Sequence, residues 1–178
     1  FDLKPFGAGF ANDLISLGDS GPLLCSDTTS DQIFAISLVG STEKPVSIIG
    51  KGQFGGANGL AISGSVPDRK LIIAGFPIND LEASTGKVWS CALDETPTLG
   101  APEELPFPAG LWDGCAVHDG MIIVSDWVTG SLQWTKGGSM PVGLAEDLKG
   151  PADFCVLQDG TGILVPEMQA NKVTRIDF

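Results

Sequence analysis

The feature that most constrains this chain is a phrase that occurs four times: Gly, two residues, Asn or Asp, then an apolar run. The copies are Gly9-Phe10-Ala11-Asn12, Gly55-Gly56-Ala57-Asn58, Gly110-Leu111-Trp112-Asp113 and Gly150-Pro151-Ala152-Asp153. Each leads through a polar turn into a second apolar run: Pro22-Leu23-Leu24-Cys25, Lys70-Leu71-Ile72-Ile73, Met121-Ile122-Ile123-Val124 and Gly162-Ile163-Leu164-Val165. The Asn/Asp positions lie 46, 55 and 40 residues apart. A period of roughly 40–50 residues carrying several short strands is the signature of a β-propeller array. A propeller places equivalent positions of every blade around one axis. Asn12, Asn58, Asp113 and Asp153 are therefore expected at one mouth of a central channel.

Each unit reads as four short strands. In the third, Asp113–His118 is the inner strand, Asp119-Gly120 a tight hairpin, and Met121–Ser125, Ser131–Thr135 and Pro141–Ala145 the strands behind it. The inner two strands of each unit are nearly continuous apolar runs, which suits burial on both faces. The 24 Gly and 12 Pro are spread between such runs as turn residues. The expected class is all-β: one propeller domain, or part of one, with repeats at about 1–40, 46–94, 103–135 and 141–178. Phe1–Phe6 precedes Gly9 as Glu103–Phe107 precedes Gly110, and the chain closes on Lys172–Phe178. Two arrangements follow. Phe1–Phe6 pairs with Lys172–Phe178 to close a four-bladed ring, or the chain is part of a larger ring that a second chain completes.

A net charge of −12, from 22 acidic and 10 basic residues, leaves no basic patch for polyanions. Nucleic acid and anionic membrane surfaces are excluded as partners on that ground. No apolar stretch approaches the roughly 18–20 residues that span a bilayer, and the chain opens on Phe1 as a processed or excised chain does. Cys25, Cys91, Cys115 and Cys155 sit inside apolar runs without metal-ligand spacing and read as buried thiols, with Cys115 and Cys155 at matching positions of neighbouring repeats.

The phrases Ala11-Asn12-Asp13-Leu14, Asn58-Gly59-Leu60, Asp113-Gly114-Cys115, Val124-Ser125-Asp126-Trp127 and Val165-Pro166-Glu167-Met168 resemble the regucalcin/gluconolactonase (strictosidine synthase-like) six-bladed propellers, in particular their bacterial gluconolactonase-like branch. The resemblance covers essentially the whole chain but only about four of the six blades. It implies a divalent cation, often calcium, held at the channel mouth by an Asn, an Asp and a Glu. Asn58 matches that Asn and Asp113 that Asp, which is also a candidate general base; the Glu has no counterpart here.

The residues themselves point to the same mouth. Asp27, Asp126 and Glu167 end the second strands of three units and are expected beside it as substrate-pocket residues, with Trp112 and Trp127 as walls. An oxygen-rich, His-poor ring of Asn12, Asn58, Asp113 and Asp153 suits Ca²⁺ or Mg²⁺; the simpler reading is that these side chains cap the turns into their strands. Phe76–Gly86 is long enough for a lid, and His118, beside a hairpin, belongs to the opposite end. The expected function is metal-dependent hydrolysis of a lactone or related ester, with Asp113 as base. The alternative is a non-catalytic propeller that holds a small ligand or a protein partner.

Overall fold

Apolar runs bounded by Gly, Asn and Asp turns become strands, and each strand pairs with its neighbour in sequence. The structure is a computed structural model describing residues 1–19, 21–38, 46–82 and 84–178. Position 20 of the first hairpin turn, the end of the expected first repeat and position 83 of the expected lid lie outside the described residues. The first sheet holds β1 (Ala11–Ser16), β2 (Leu23–Asp27), β3 (Gln32–Ile36) and β4 (Val46–Lys51). The second holds β5 (Ala57–Ser63), β6 (Lys70–Gly75), β7 (Val88–Ala92) and β8 (Glu103–Glu104). The third holds β9 (Trp112–His118), β10 (Met121–Asp126), β11 (Ser131–Lys136) and β12 (Val142–Ala145). The fourth holds β13 (Cys155–Val156), β14 (Gly162–Glu167) and β15 (Lys172–Asp177). All pairings are antiparallel. This is the expected all-β propeller arrangement. Sequence repeat and sheet are staggered by one strand: β4, β8 and β12, which open the expected later repeats or lie just ahead of them, complete the sheet before.

The inner strands β1, β5, β9 and β13 follow one another around the axis, and the core lies between blades. Leu24, Ile33, Phe54, Leu60 and Ile73 fill the first gap, Ile72, Val88, Trp112 and Val124 the second, and Ile123, Leu132, Phe154 and Val165 the third. Neighbouring residues of β6 and β10 thus face different blades, which is why these strands are apolar throughout. Two glycines set the approach of the inner strands. A Cβ on Gly59 would lie 2.5 Å from the Asp113 carbonyl oxygen, and one on Gly114 2.6 Å from the Asp153 Cα.

Register corrects the repeat alignment in the fourth blade. Ala11, Ala57, Trp112 and Pro151 each oppose the last residue of the strand behind, namely Asp27, Gly75, Asp126 and Glu167. Ala152 is therefore the equivalent of Asn12, Asn58 and Asp113, while Asp153 corresponds to Asp13, Gly59 and Gly114. The fourth copy of the phrase is slipped by one residue. The same slip separates Cys155 from Cys115, whose equivalent is Phe154. Cys25, Cys91 and Cys115 are buried free thiols, but Cys155 is exposed.

The terminal pairing expected for a closed four-bladed ring is not formed. Lys4–Phe6 is a turn of 3-10 helix, and β15 pairs with β14 alone. Phe178 instead stacks on His118, ring centroids 5.0 Å apart. Both end blades present apolar faces. Val173 is 63% exposed where its equivalent in the third blade, Leu132, is fully buried. Leu14 is 55% exposed where Leu60 is 3% exposed. Both positions continue the surface that is buried between blades elsewhere.

Gly59→Ala tests the close approach. Overpacking at a backbone contact costs about 1–3 kcal/mol, so the expected outcome is a loss of that size on urea unfolding. Gly143→Ala is the control: a strand glycine without a positive φ, whose Cβ would meet only a Glu146 carboxylate oxygen at 3.8 Å. An unperturbed Gly59→Ala variant would mean that the inner strands are not held this closely.

Candidate functional site

An extra residue at the start of each inner strand creates the site. Ala11 and Leu14 are three apart on β1 but face Asp27 and Cys25, which are two apart on β2. The same bulge recurs at Asn58/Gly59 and Asp113/Gly114, and a bulge re-aims the side chain it carries. Asn12, Asn58, Asp113 and Asp153 line one cavity of about 320 Å³ at this end of the inner strands. Phe10, Phe76, Ile78, Trp127 and Met168 form its upper wall. A larger, shallower hollow beside Leu157, Asp159 and Arg175 has no comparable set, because Asp159 is bonded to Thr161 and Arg175 to Asp177.

The polar groups differ in how they are held. Asn12 Nδ2 donates to Thr28 Oγ1 (3.1 Å), whose hydroxyl donates on to the Ala57 carbonyl. Asn58 is only 3% exposed. Among the described residues neither its side chain nor that of Asp113 has a hydrogen-bond partner. Asp153 Oδ1 accepts the Phe154 N–H (2.9 Å). Asp13, which the sequence reading left out, lies behind them and is fully engaged: one oxygen accepts Leu14 N–H (2.6 Å) and the other Leu60 N–H (2.7 Å) on the next inner strand. It clasps two blades, and its neighbour Asn12 faces the cavity.

These carboxylates share a desolvated space without a basic partner. Burial first, then the charges of Asp153 and Asp13, raise the Asp113 carboxyl from 3.8 to about 7. Burial and Asp13 raise Asp153 to about 6 against the help of the Phe154 N–H. Asp153 is the more solvent-exposed of the two, so its shift is the more readily screened. Both shifts follow from like charges in a low-dielectric site.

Four expected pocket residues belong elsewhere. Asp27 is fully buried, and its oxygens accept Gly9, Phe10 and Ser30 N–H groups at 2.8 Å. Asp126 accepts Val128 and Thr129 N–H (3.0 and 2.9 Å). Glu167 accepts Lys149 N–H (2.8 Å), the Thr174 hydroxyl and Lys172 Nζ (3.0 Å). A carboxylate ending a buried strand needs donors, and the adjoining loops supply them. The Trp112 indole is fully buried beside Phe107 and donates to the Pro108 carbonyl. Trp127 does line the cavity, edge-to-face with Phe76. The rule that the sequence reading missed is an offset of one: the residue after each of those strand ends (Thr28, Phe76, Trp127, Met168) is the one at the mouth. From the expected lid, Phe76 and Ile78 reach the cavity, whereas Asn79, Asp80 and Glu82 are exposed. His118 stands at the far end of β9 from Asp113.

No protein-family model matches the sequence, and no curated protein sequence matches it. Solved structures match by fold. A gluconolactonase of Xanthomonas campestris superposes with a TM-score of 0.69 at 15% identity, over 90% of this chain and 56% of its own. An inactive virginiamycin B lyase of Staphylococcus aureus, solved with quinupristin, gives 0.64 at 17% identity over 94% of this chain and 52% of its own. The glutaminyl cyclase of Myxococcus xanthus gives 0.61 at 15% identity over 94% and 66%. The chain has a gluconolactonase-like β-propeller fold and spans about half to two thirds of the length of these proteins.

The raised carboxyl of Asp113 makes stability pH-dependent. Between the ordinary 3.8 and about 7 the native state keeps a proton that the unfolded chain releases. Stability therefore falls as pH rises through that window and levels off above it. In the presence of chelator, the melting temperature is expected to drop from pH 5 to pH 8. Asp113→Asn should flatten the fall. An unchanged slope in that variant would remove Asp113 as its source.

Proposed function

We propose that this cavity hydrolyses a lactone or related ester, working with a divalent cation for which calcium fits best and magnesium second. The observation that carries this is the pair Asn58 and Asp113, held in the cavity wall without any protein hydrogen bond. The one fully buried side-chain atom without a partner among the described residues is Gln32 Oε1, so the polar atoms of Asn58 and Asp113 open on the cavity, where a bound ligand or cation can take the place of water. The donor set fits an oxygen-loving cation: two carboxylates and two amides, with no thiol or imidazole among the cavity residues. Among the described residues, no three His, Cys, Asp or Glu side chains are grouped to hold a metal, so the amide oxygens of Asn58 and Asn12 must contribute.

Bound there, a cation would withdraw electron density from the substrate carbonyl. The chain's own part is proton transfer and positioning. Asp113, ionised beside the cation, accepts a proton from the attacking water. It returns that proton to the alkoxide that leaves as the ring C–O bond breaks, giving a hydroxy acid. The likeness of fold to a gluconolactonase supports this chemistry. A non-catalytic ligand-binding propeller is the second reading. It is favoured by one observation, the apolar lining of Phe10, Phe76, Ile78, Trp127 and Met168, which can hold a ligand without acting on it. The exposed row on the fourth blade adds a partner to the proposal: a second chain whose strands cover Val173 and complete the ring. Light scattering tests this, and a monomer with full ligand response would remove it.

The test of the site is thermal melting with and without millimolar calcium. A ligand specific to the native state stabilises it by about 2.7 kcal/mol at roughly 100 times its Kd. Asp113→Asn and Asn58→Ala should lose most of that shift and His118→Ala should keep it. With gluconolactone, pH-stat titration should show turnover that Asp113→Asn abolishes. A calcium shift without turnover leaves the binding reading ahead, and an equal shift in both mouth variants removes the metal from these residues.

A further inference from the structure

Resting on that reading of the mouth, we infer that the ligand is amphiphilic: an ester or lactone with an acyl or aromatic body, rather than a polyhydroxylated one. The inference comes from the collar above the polar floor. Each blade contributes one collar residue by the same backbone device. The N–H groups of Thr28, Phe76, Trp127 and Met168 donate to the carbonyls of Phe10, Gly56, Leu111 and Gly150, at 3.0, 2.8, 3.0 and 3.0 Å. Main-chain bonds thus set where these side chains start.

Three of the four are large and apolar, and Phe10 and Ile78 extend the same surface. Phe76 and Trp127 brace each other, centroids 6.3 Å apart at 72°, so that wall stands preformed. Phe10 and Met168 remain 50% and 62% exposed, as apolar surface that a ligand would cover. A polyol would need hydrogen-bonding groups at this height. Thr28 is the one hydroxyl side chain there, and it is already engaged with Asn12 and Ala57. Among the described residues no Lys, Arg or His lines the cavity, and the floor is acidic, so an anionic body is disfavoured as well. A polar head on Asn58 and Asp113 with an apolar body along Phe76, Trp127 and Met168 meets every one of these conditions.

The experiment compares δ-decalactone with glucono-δ-lactone, by pH-stat kinetics and, independently of turnover, by Trp fluorescence titration. The expected result is a kcat/KM for δ-decalactone roughly tenfold or more above that for gluconolactone, as apolar pockets discriminate. Trp127→Ala should cut that preference mainly through KM. Met168→Ser, at an exposed position that does not threaten the fold, should cut it in the same direction. If neither compound turns over, the hydrolase reading fails while the inference still stands or falls on binding: δ-decalactone must change Trp emission at lower concentration than gluconolactone, and Met168→Ser must weaken it. Equal or better binding of gluconolactone, loss of both ligands in equal measure in the variants, or binding of neither overturns the inference.

Discussion

The structure depends on how buried carboxylates at the ends of central strands bind loop N–H groups: Asp27 and Glu167 tie down the loops that lead into β1 and β13, and Asp126 the turn into β11. Asp27, Asp126 and Glu167 each sit where a central strand leaves the core, desolvated and facing loop N–H groups. Hydrogen bonds from backbone donors to carboxylate acceptors are strong in such surroundings. The second blade has Gly75 at this place, and the work passes to Asp31 of the first blade. Its two oxygens accept the N–H groups of Phe54, Gly55, Gly56 and Ala57. Loops fixed in this way hold the bulge that follows, and the bulge aims one side chain per blade at the mouth.

A second set of bonds joins blade to blade. Ser26 Oγ accepts Asp13 N–H and donates to the Asn58 carbonyl. Ser125 Oγ accepts Gly114 N–H and donates to the Ala152 carbonyl. With the Asp13 clasp on Leu60, these bonds fix the spacing of β1, β5, β9 and β13 at the axis. The cavity floor is therefore built by backbone geometry, which leaves the side chains of Asn58 and Asp113 without a hydrogen-bond partner among the described residues. That division of labour explains why so many acids can gather here. Those that hold the fold are fully bonded, and those in the cavity are not.

The strands and their order were legible because buried sheets write long apolar runs and hairpins write Gly and Asp between them. Asn12, Asn58 and Asp113 could be placed together because the phrase around each survives with constant spacing. What could not be read was one residue of register. Asp153 fits the phrase by spelling, yet pairing of Pro151 with Glu167 puts Ala152 in the ring position. Facing was equally hidden. Asp27 and Thr28 are adjacent and both polar, and only loop N–H groups decide that the first turns away and the second faces the cavity. Trp112 and Trp127 illustrate the same limit. Each neighbours a mouth residue, but one indole fills the gap between blades and the other stands in the collar.

An acidic floor beneath an apolar collar is electrostatically unfavourable by itself. Burial removes much of the water that would screen Asp113, and among the described residues no basic side chain of the cavity replaces it, so ionising one carboxyl opposes ionising the other. A single lysine in the collar would relieve this. Two ways remain to settle the charge: a proton kept on one of the carboxyls, or a cation. Each makes the floor a different instrument. With the proton, Asp113 can donate to a carbonyl; with the cation, it is ionised and can only accept. Burial and the neighbouring carboxylates raise Asp113 to about 7 and Asp153 to about 6, so the protonated floor gives way to the ionised one near neutral pH. On the proposed reading, the collar would select the ligand's body and the occupancy of the floor what is done to its head.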